Sequence, residues 1–439
     1  MSAEPPLPTA DGTGPRYGVW LIGARGSVAT TAIAGCAAVA AGLHPPTGMV
    51  TETAPFTSSG LPSLSSLVFG GHDTVDCPLP KRAEHLAAGG VLPHGLPTAV
   101  HAELAAADRE IRPGGPGPGG AVPDGTGAGR AVSGGTGAGG AVSGGTGAGG
   151  AVSGGTEPGR TGPVGAVSGV GRTHEEAGGD RSQEEWVAAF AEDIRDFVRR
   201  HGLAGAVVVN VASTEPAPTD GTLPPSSLYA AAALRAGCPY VNFTPSTGLH
   251  HPALAELAAS SGLPYAGRDG KTGQTLLRSV LGPMFAQRAL AVRAWSGTNL
   301  LGGGDGAALA DPAAAAAKNS GKERVLADTL GAAPQGEVHI DDVPALGDWK
   351  TAWDHIAFDG FLGARMILQT TWQGCDSALA APLVLDLARL MLRAHEAGLG
   401  GPRPELGFYF KDPDAGASSA LGEQYAALLD FAARLRDGI

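Results

Sequence analysis

The sequence predicts an α/β fold built mainly on a parallel sheet, with a smaller α+β part after it. Three observations carry this. Short continuous apolar runs alternate with helical stretches over the first 243 residues. A glycine-bearing turn joins the first such run to a helix. Further on, from about residue 337, the runs become alternating, as in strands with one wet face.

The elements follow in order. Gly18-Val19-Trp20-Leu21-Ile22 ends at Gly23 and suits a buried parallel strand. Thr30 to Gly42 is rich in alanine and stops at a glycine, as a tightly packed helix does. Trp186, Phe190, Ile194 and Phe197 recur at helical spacing within 182–201. Ala206 to Val211 is a second buried strand, Leu228 to Ala236 a helix, and Tyr240 to Phe243 a third strand. Glu337–Ile340 and Ala364–Thr371 alternate, Ala378–Leu399 is a long apolar helix, and Gln424–Arg436 is an amphipathic one.

One stretch stands outside this pattern. From about residue 112 to 171 the chain is low-complexity and a ten-residue unit recurs, as in Arg130 to Gly139 and Gly140 to Gly149. Each unit offers one Ala-Val pair, too little apolar surface to offset the ordering entropy of a glycine-rich backbone. A flexible insert, extended by charged residues to about 184, is expected rather than a solenoid.

Composition excludes several classes. A net charge of −12 and a pI near 5.4 argue against nucleic-acid binding. Cys36, Cys77, Cys238 and Cys375 lie far apart, with neither a disulfide framework nor zinc spacing. Reduced thiols, no signal peptide and no span of about 20 apolar residues lead to a cytoplasmic protein without a membrane partner.

Candidate sites follow from turns and charges. Gly23-Ala24-Arg25-Gly26-Ser27-Val28 places a tight turn before a helix N-terminus. A pyrophosphate can bind there on a Rossmann-type unit beginning at Tyr17. The form is GxxGxxA, which also fits a ligand-free turn. Glu52 sits late for an acidic ribose partner. Ala212-Ser213-Thr214 follows a buried strand, as a cofactor groove or a helix cap. Gly267 to Thr275 contains Gly-Lys-Thr, but Tyr265 stands where a phosphate-binding P-loop needs glycine. Lys318 and Lys322 share a helix face if that segment is helical, either for an anion or as a solvated basic end. Lys350 and Lys411 gain no role from spacing alone. His250-His251 lacks a third metal ligand, and the metal question stays open.

Taken in order, these segments resemble the myo-inositol-1-phosphate synthase family. The family's Gly-Gly-x-Asp appears as Gly70-Gly71-His72-Asp73, and its Ala-Asn-Thr-Glu as Ala212-Ser213-Thr214-Glu215. Its Gly-Asp-Asp-Phe-Lys-Ser-Gly-Gln-Thr appears as Gly267 to Thr275. Its Lys-x-x-x-Lys is Lys318 and Lys322, and its later lysines fall at Gly-Asp-Trp-Lys350 and Phe-Lys411-Asp-Pro. Asp376 to Pro382 matches Asp-Ser-x-Leu-Ala-x-Pro. Departures occur at Arg25, Ser27 and Val28, and at Gly303-Gly304, where the family has Asn-Asn. Leu421-Gly422-Glu423-Gln424-Tyr425 loses two cations of the family's Leu-Asn-Lys-Gln-Arg.

The resemblance implies a Rossmann NAD-binding domain over 17–275, an α+β catalytic and tetramerisation domain over 276–377, and a return to the first domain over 378–439. It implies NAD held by Gly23, Arg25, Gly26, Ser27, Val28, Asp73, Ala212, Ser213, Thr214, Gly267, Asp269, Thr272 and Asp305. Lys318, Lys322, Lys350 and Lys411 would stabilise anionic oxygens and phosphate, with Asp376 orienting them. The implied reaction is carbocyclisation of a hexose phosphate, foremost glucose 6-phosphate to 1D-myo-inositol 3-phosphate, in a homotetramer. A cyclase acting on another sugar phosphate, such as a ketohexose phosphate closing to a five-membered ring, and a non-catalytic NAD-binding homologue are the alternatives.

Overall fold

The structure is a computed structural model and describes residues 14–115, 181–215, 221–302, 324–414 and 416–437. The ten-residue repeat, Asp305, Lys318, Lys322 and Gly303-Gly304 lie outside the described residues.

The first part is a seven-stranded sheet. Its strands are β1 (Tyr17–Ile22), β2 (Leu67–Asp73), β3 (Ile111–Pro113), β4 (Gly205–Asn210), β5 (Tyr240–Asn242), β6 (Pro264–Gly267) and β11 (Gly401–Pro402). The spatial order is β3-β2-β1-β4-β5-β6-β11, and every pairing is parallel. This is the doubly wound Rossmann order, and its switch point falls between β1 and β4.

Both faces of the sheet are covered, which is why its strands read as unbroken apolar runs. Val19, Leu21, Val207 and Val209 pack on helix α1 (Ser27–Ala40) and the long helix α9 (Asp376–Glu396). Trp20, Ile22, Ala206 and Val208 face the other way, onto α5 (Gln183–His201) and α6 (Pro225–Arg235). The period-2 alternation of strand side chains thus serves two cores at once. α9 runs through the first core with Leu385, Leu387, Leu390 and Leu392 buried, each contributing roughly 1.5–3 kcal/mol. Its polar Asp386 and Arg389 are buried too and grip residues 50–52.

Several boundaries move from expectation. α5 is capped by Ser182, whose hydroxyl accepts from the Glu185 N–H while the Glu185 carboxylate accepts from the Ser182 N–H. This capping box belongs to the fold, not to the insert expected to reach 184. At the other flank, Ile111–Pro113 is a strand, so the fold also extends past residue 112. α1 begins three residues earlier than Thr30, because the glycine turn hands over directly to the helix.

The second part is a four-stranded mixed sheet in the order β10-β9-β7-β8. Its strands are β7 (Ala291–Leu301), β8 (Val338–Asp342), β9 (Trp349–Asp359) and β10 (Arg365–Cys375). β9 is antiparallel to β7 and β10, while β8 runs parallel to β7. Helix α8 (Gly273–Gln287) leads from β6 into this sheet. It crosses residue 275, so the two sheets are joined by a continuous helix rather than by a break. A buried network fastens α8 down. The Asp354 carboxylate accepts from Arg278 at 3.2 Å, Trp295 Nε1 at 2.7 Å and Gln274 Nε2 at 2.9 Å. Gln274 in turn accepts from Asn299 Nδ2 at 3.0 Å. From β10 the chain passes directly into α9, and the C-terminal helix α10 (Leu421–Asp437) closes the first part.

Candidate active site

The switch point is where strand order reverses, so the turns after β1 and β4 face each other there. Gly23 has φ +81°, and a Cβ on it would lie 2.7 Å from the Ala212 Cα. Glycine is required by conformation and by space alike. Ala212 therefore forms the opposite wall of the turn. Ser213 is exposed and Thr214 half-buried at the carboxyl end of β4. Thr30 N–H is the first to bond back, to the Gly26 carbonyl at 2.9 Å. The N–H groups of Ser27, Val28 and Ala29 at the start of α1 have no intrahelical acceptor. No acidic residue occupies this first turn. The arrangement suits the pyrophosphate of a dinucleotide.

The side chains around the turn have partners of their own. Val28 packs on the core, so only its backbone faces the turn. The Arg25 guanidinium turns away to Asp108 at 3.0 Å and to the Val75 carbonyl. The Ser27 hydroxyl donates to Asp348 at 2.7 Å and accepts from Arg82 at 2.9 Å. Asp348 comes from the loop before β9, so the mixed sheet reaches the N-terminus of α1.

The acidic residue at the end of the strand beside β1 is Asp73. Its carboxylate accepts from Arg25 N–H at 2.6 Å and Val75 N–H at 2.7 Å. A carboxylate has about four lone-pair sites, which leaves capacity for a ribose hydroxyl. Glu52 lies before β2 in a short 3₁₀ turn and pairs with Arg389. The long irregular stretch between α1 and β2 displaced the expected spacing.

The second half of the site is the turn from Gly267 to Gly273. It anchors two lysine–aspartate pairs. Lys411 Nζ lies 3.0 Å from Asp269 Oδ1, with both side chains at least nine-tenths buried. Lys350 Nζ lies 2.8 Å from Asp376 Oδ2, and Thr272 Oγ1 donates to the other oxygen of Asp376 at 3.2 Å. Asp376 opens α9, where the helix dipole favours negative charge. Lys350, Ala352 and Asp354 share the inner face of β9, so the lysine stands in line with the buried network under α8. A small cleft is lined there by Gly273, Gln274, Lys350, Trp372 and Asp376.

Asp269 has φ 62°, a left-handed conformation that costs most residues about 1–2 kcal/mol and aspartate less. It is held by a short antiparallel ladder. Lys411 N–H donates to the Asp269 carbonyl at 2.7 Å, and Lys271 N–H to the Tyr409 carbonyl at 2.8 Å. Residues 268–271 and 409–412 thus meet across the sequence.

Sequence reasoning passed over Lys271, whose ammonium is buried, donates to Gln424 of α10, and lies 6.0 Å from the centre of the Phe408 ring. Burial lowers its pKa from 10.5 to about 7. Its only sequence signal was the Gly-Lys-Thr string. Asp348, two residues before Lys350, was likewise quoted in a motif without a role. Among the described residues no group of three His, Cys, Asp or Glu side chains is placed to hold a metal. No helix among them is long and apolar enough to cross a membrane.

Together these features define a Rossmann-type α/β protein with a mixed sheet set against its switch point. The sequence model of the myo-inositol-1-phosphate synthase family matches residues 273–377. The chain is 34% identical over 257 residues to inositol-3-phosphate synthase 1 of Bacteroides thetaiotaomicron, covering 52% of this chain and 60% of that protein. It is 32% identical over 241 residues to the human inositol-3-phosphate synthase 1, covering 48% of this chain and 42% of the human one. The matches thus span less than two thirds of these relatives' length. Inositol-3-phosphate synthase from Caenorhabditis elegans shares the fold with a TM-score of 0.73 at 22% identity, covering 96% of this chain and 86% of the other. A myo-inositol-1-phosphate synthase-related protein from Thermotoga maritima does so with a TM-score of 0.66 at 22% identity, covering 95% and 98%. Over these stretches the chain is similar to the myo-inositol-1-phosphate synthase family.

Proposed function

We propose that the protein is an NAD-dependent cyclase that converts glucose 6-phosphate to 1D-myo-inositol 3-phosphate. The observation that carries this reading is the pair of lysine–aspartate contacts on one turn, Lys411 with Asp269 and Lys350 with Asp376. A proton-shuffling, ring-closing reaction generates enolate and alkoxide oxygens, and preorganised cations in a low-dielectric pocket stabilise them.

NAD, held on the α1 N-terminus and the wall formed by Ala212, would supply a hydride acceptor that returns the hydride within the same turnover. Lys350 and Lys411 hold positive charge toward the reacting oxygens. Asp376 and Asp269 fix where those ammonium groups sit. Lys318 and Lys322 complete the cationic set in this reading, and Asp305 joins the cofactor contacts.

A second reading is a cyclase for a ketohexose phosphate that closes a five-membered ring. It is favoured by Gly303-Gly304, which replaces two amide side chains of the family motif. Sites that hydrogen-bond a substrate hydroxyl discriminate strongly, so losing such partners changes the substrate. In either case assembly of copies through the mixed sheet is expected. Phe361 is 87% exposed, Leu362 89% and Ile367 62%, and strand β10 leaves an open edge.

The test is incubation of purified protein with NAD+ and either glucose 6-phosphate or fructose 6-phosphate, followed by mass spectrometry and phosphorus NMR. An inositol phosphate from the glucose ester is expected, and no isomeric product from either sugar refutes both readings. Lys350→Ala should cut turnover by about 10²–10³-fold with NAD+ binding retained. Unchanged turnover in that variant would remove Lys350 from the mechanism.

A further inference from the structure

Lys411 meets Asp269 where two distant segments lie side by side, and Asp412 stands at the centre of the contacts between them. The Asp412 carboxylate meets Arg268 at 2.8 and 2.9 Å through Oδ2 and Arg324 through Oδ1. Arg324 also donates to the Lys411 carbonyl at 3.0 Å, and Arg268 to the Pro245 carbonyl at 2.9 Å. Beneath the side chains the backbones close a reciprocal pair. Arg268 N–H donates to the Asp412 carbonyl at 2.6 Å, and Asp412 N–H to the Arg268 carbonyl at 3.1 Å. One carboxylate therefore ties three places in the chain: the turn after β6, the residue beside Lys411, and Arg324.

Arg268 faces Asp412 across the ladder. Two acids facing each other across the ladder would repel, whereas Arg268 makes the contact attractive.

We propose that Asp412, held between Arg268 and Arg324, is a positioning residue that sets Lys411 against Asp269 for the cyclisation; this rests on the functional reading above. Asp412 acts through Lys411 and holds no reacting atom itself. Hydrogen bonds between charged groups are stronger than neutral ones. Their loss lets the 409–412 segment open locally and exposes a lysine side chain that is otherwise 9% accessible.

The test uses the full chain and two readouts. Lysine acetylation by acetic anhydride, read by mass spectrometry, reports the exposure of Lys411 without reference to activity. In Asp412→Asn and Arg324→Ala the rate at Lys411 should rise roughly tenfold, while Lys350 keeps its wild-type rate. Asp412→Glu should restore protection. With substrate, kcat should fall about tenfold and the affinity for NAD+ should hold. Labelling of Lys411 within about twofold of wild type in both variants overturns the proposal. So does an equal rise at Lys350 with a lowered melting temperature, since that marks general loosening. If no sugar phosphate is turned over, the functional reading fails, and the labelling ratio still decides whether Asp412 holds Lys411.

Discussion

Replacing Lys271 by methionine tests a buried ammonium whose pKa is lowered by burial. Lys271 lies between the turn after β6 and helix α10, with its ammonium on Gln424 and over the Phe408 ring. Burial lowers its pKa from 10.5 to about 7. Below pH 7 both the folded and unfolded chains carry the proton, and folding bears the full cost of burying the charge. Between pH 7 and 10.5 the unfolded chain binds more protons, so stability rises with pH. The slope approaches 1.36 kcal/mol per pH unit. From pH 6 to 8.5 the wild type should gain about 2 kcal/mol from this residue. Methionine keeps the apolar stem and removes the titration, so Lys271→Met should lose that gain. Urea unfolding of both proteins at pH 6, 7, 8 and 8.5, read by tryptophan fluorescence, gives the difference curve. Other groups titrate equally in both proteins and cancel. A flat difference between wild type and variant over this range would refute the reasoning.

Two further outcomes follow from packing. Asp354→Ala strips the acceptor shared by Arg278, Trp295 and Gln274 and breaks a buried ion pair. About 3–5 kcal/mol of stability should be lost; a melting temperature unchanged by calorimetry would contradict the network. Gly23→Ala places a Cβ 2.7 Å from Ala212 Cα in a left-handed turn. It should weaken NAD+ binding by about tenfold or more, measured by titration calorimetry, and wild-type affinity would detach that turn from the cofactor.

The sequence by itself determined the doubly wound sheet. Strands buried on both faces must read as continuous apolar runs, as at Val19 to Ile22 and Val207 to Val209, and helices must intervene between parallel strands. It also determined the glycine turn at Gly23, since the left-handed φ admits few other residues. It left the site unassembled. Asp73 was visible as a motif but not as the acid beside β1, because the 26 residues from 41 to 66, holding only short 3₁₀ turns, intervene before β2. Lys350 and Lys411 had no role by spacing because their partners, Asp376 and Asp269, lie 26 and 142 residues away. The tertiary structure decided those pairings. Strand β9 brings Lys350 under the N-terminus of α9, and the ladder of 268–271 with 409–412 brings Lys411 to Asp269. A charge's partner is set by which backbones the sheets and ladders hold side by side, and local sequence pattern carries no information about that distance.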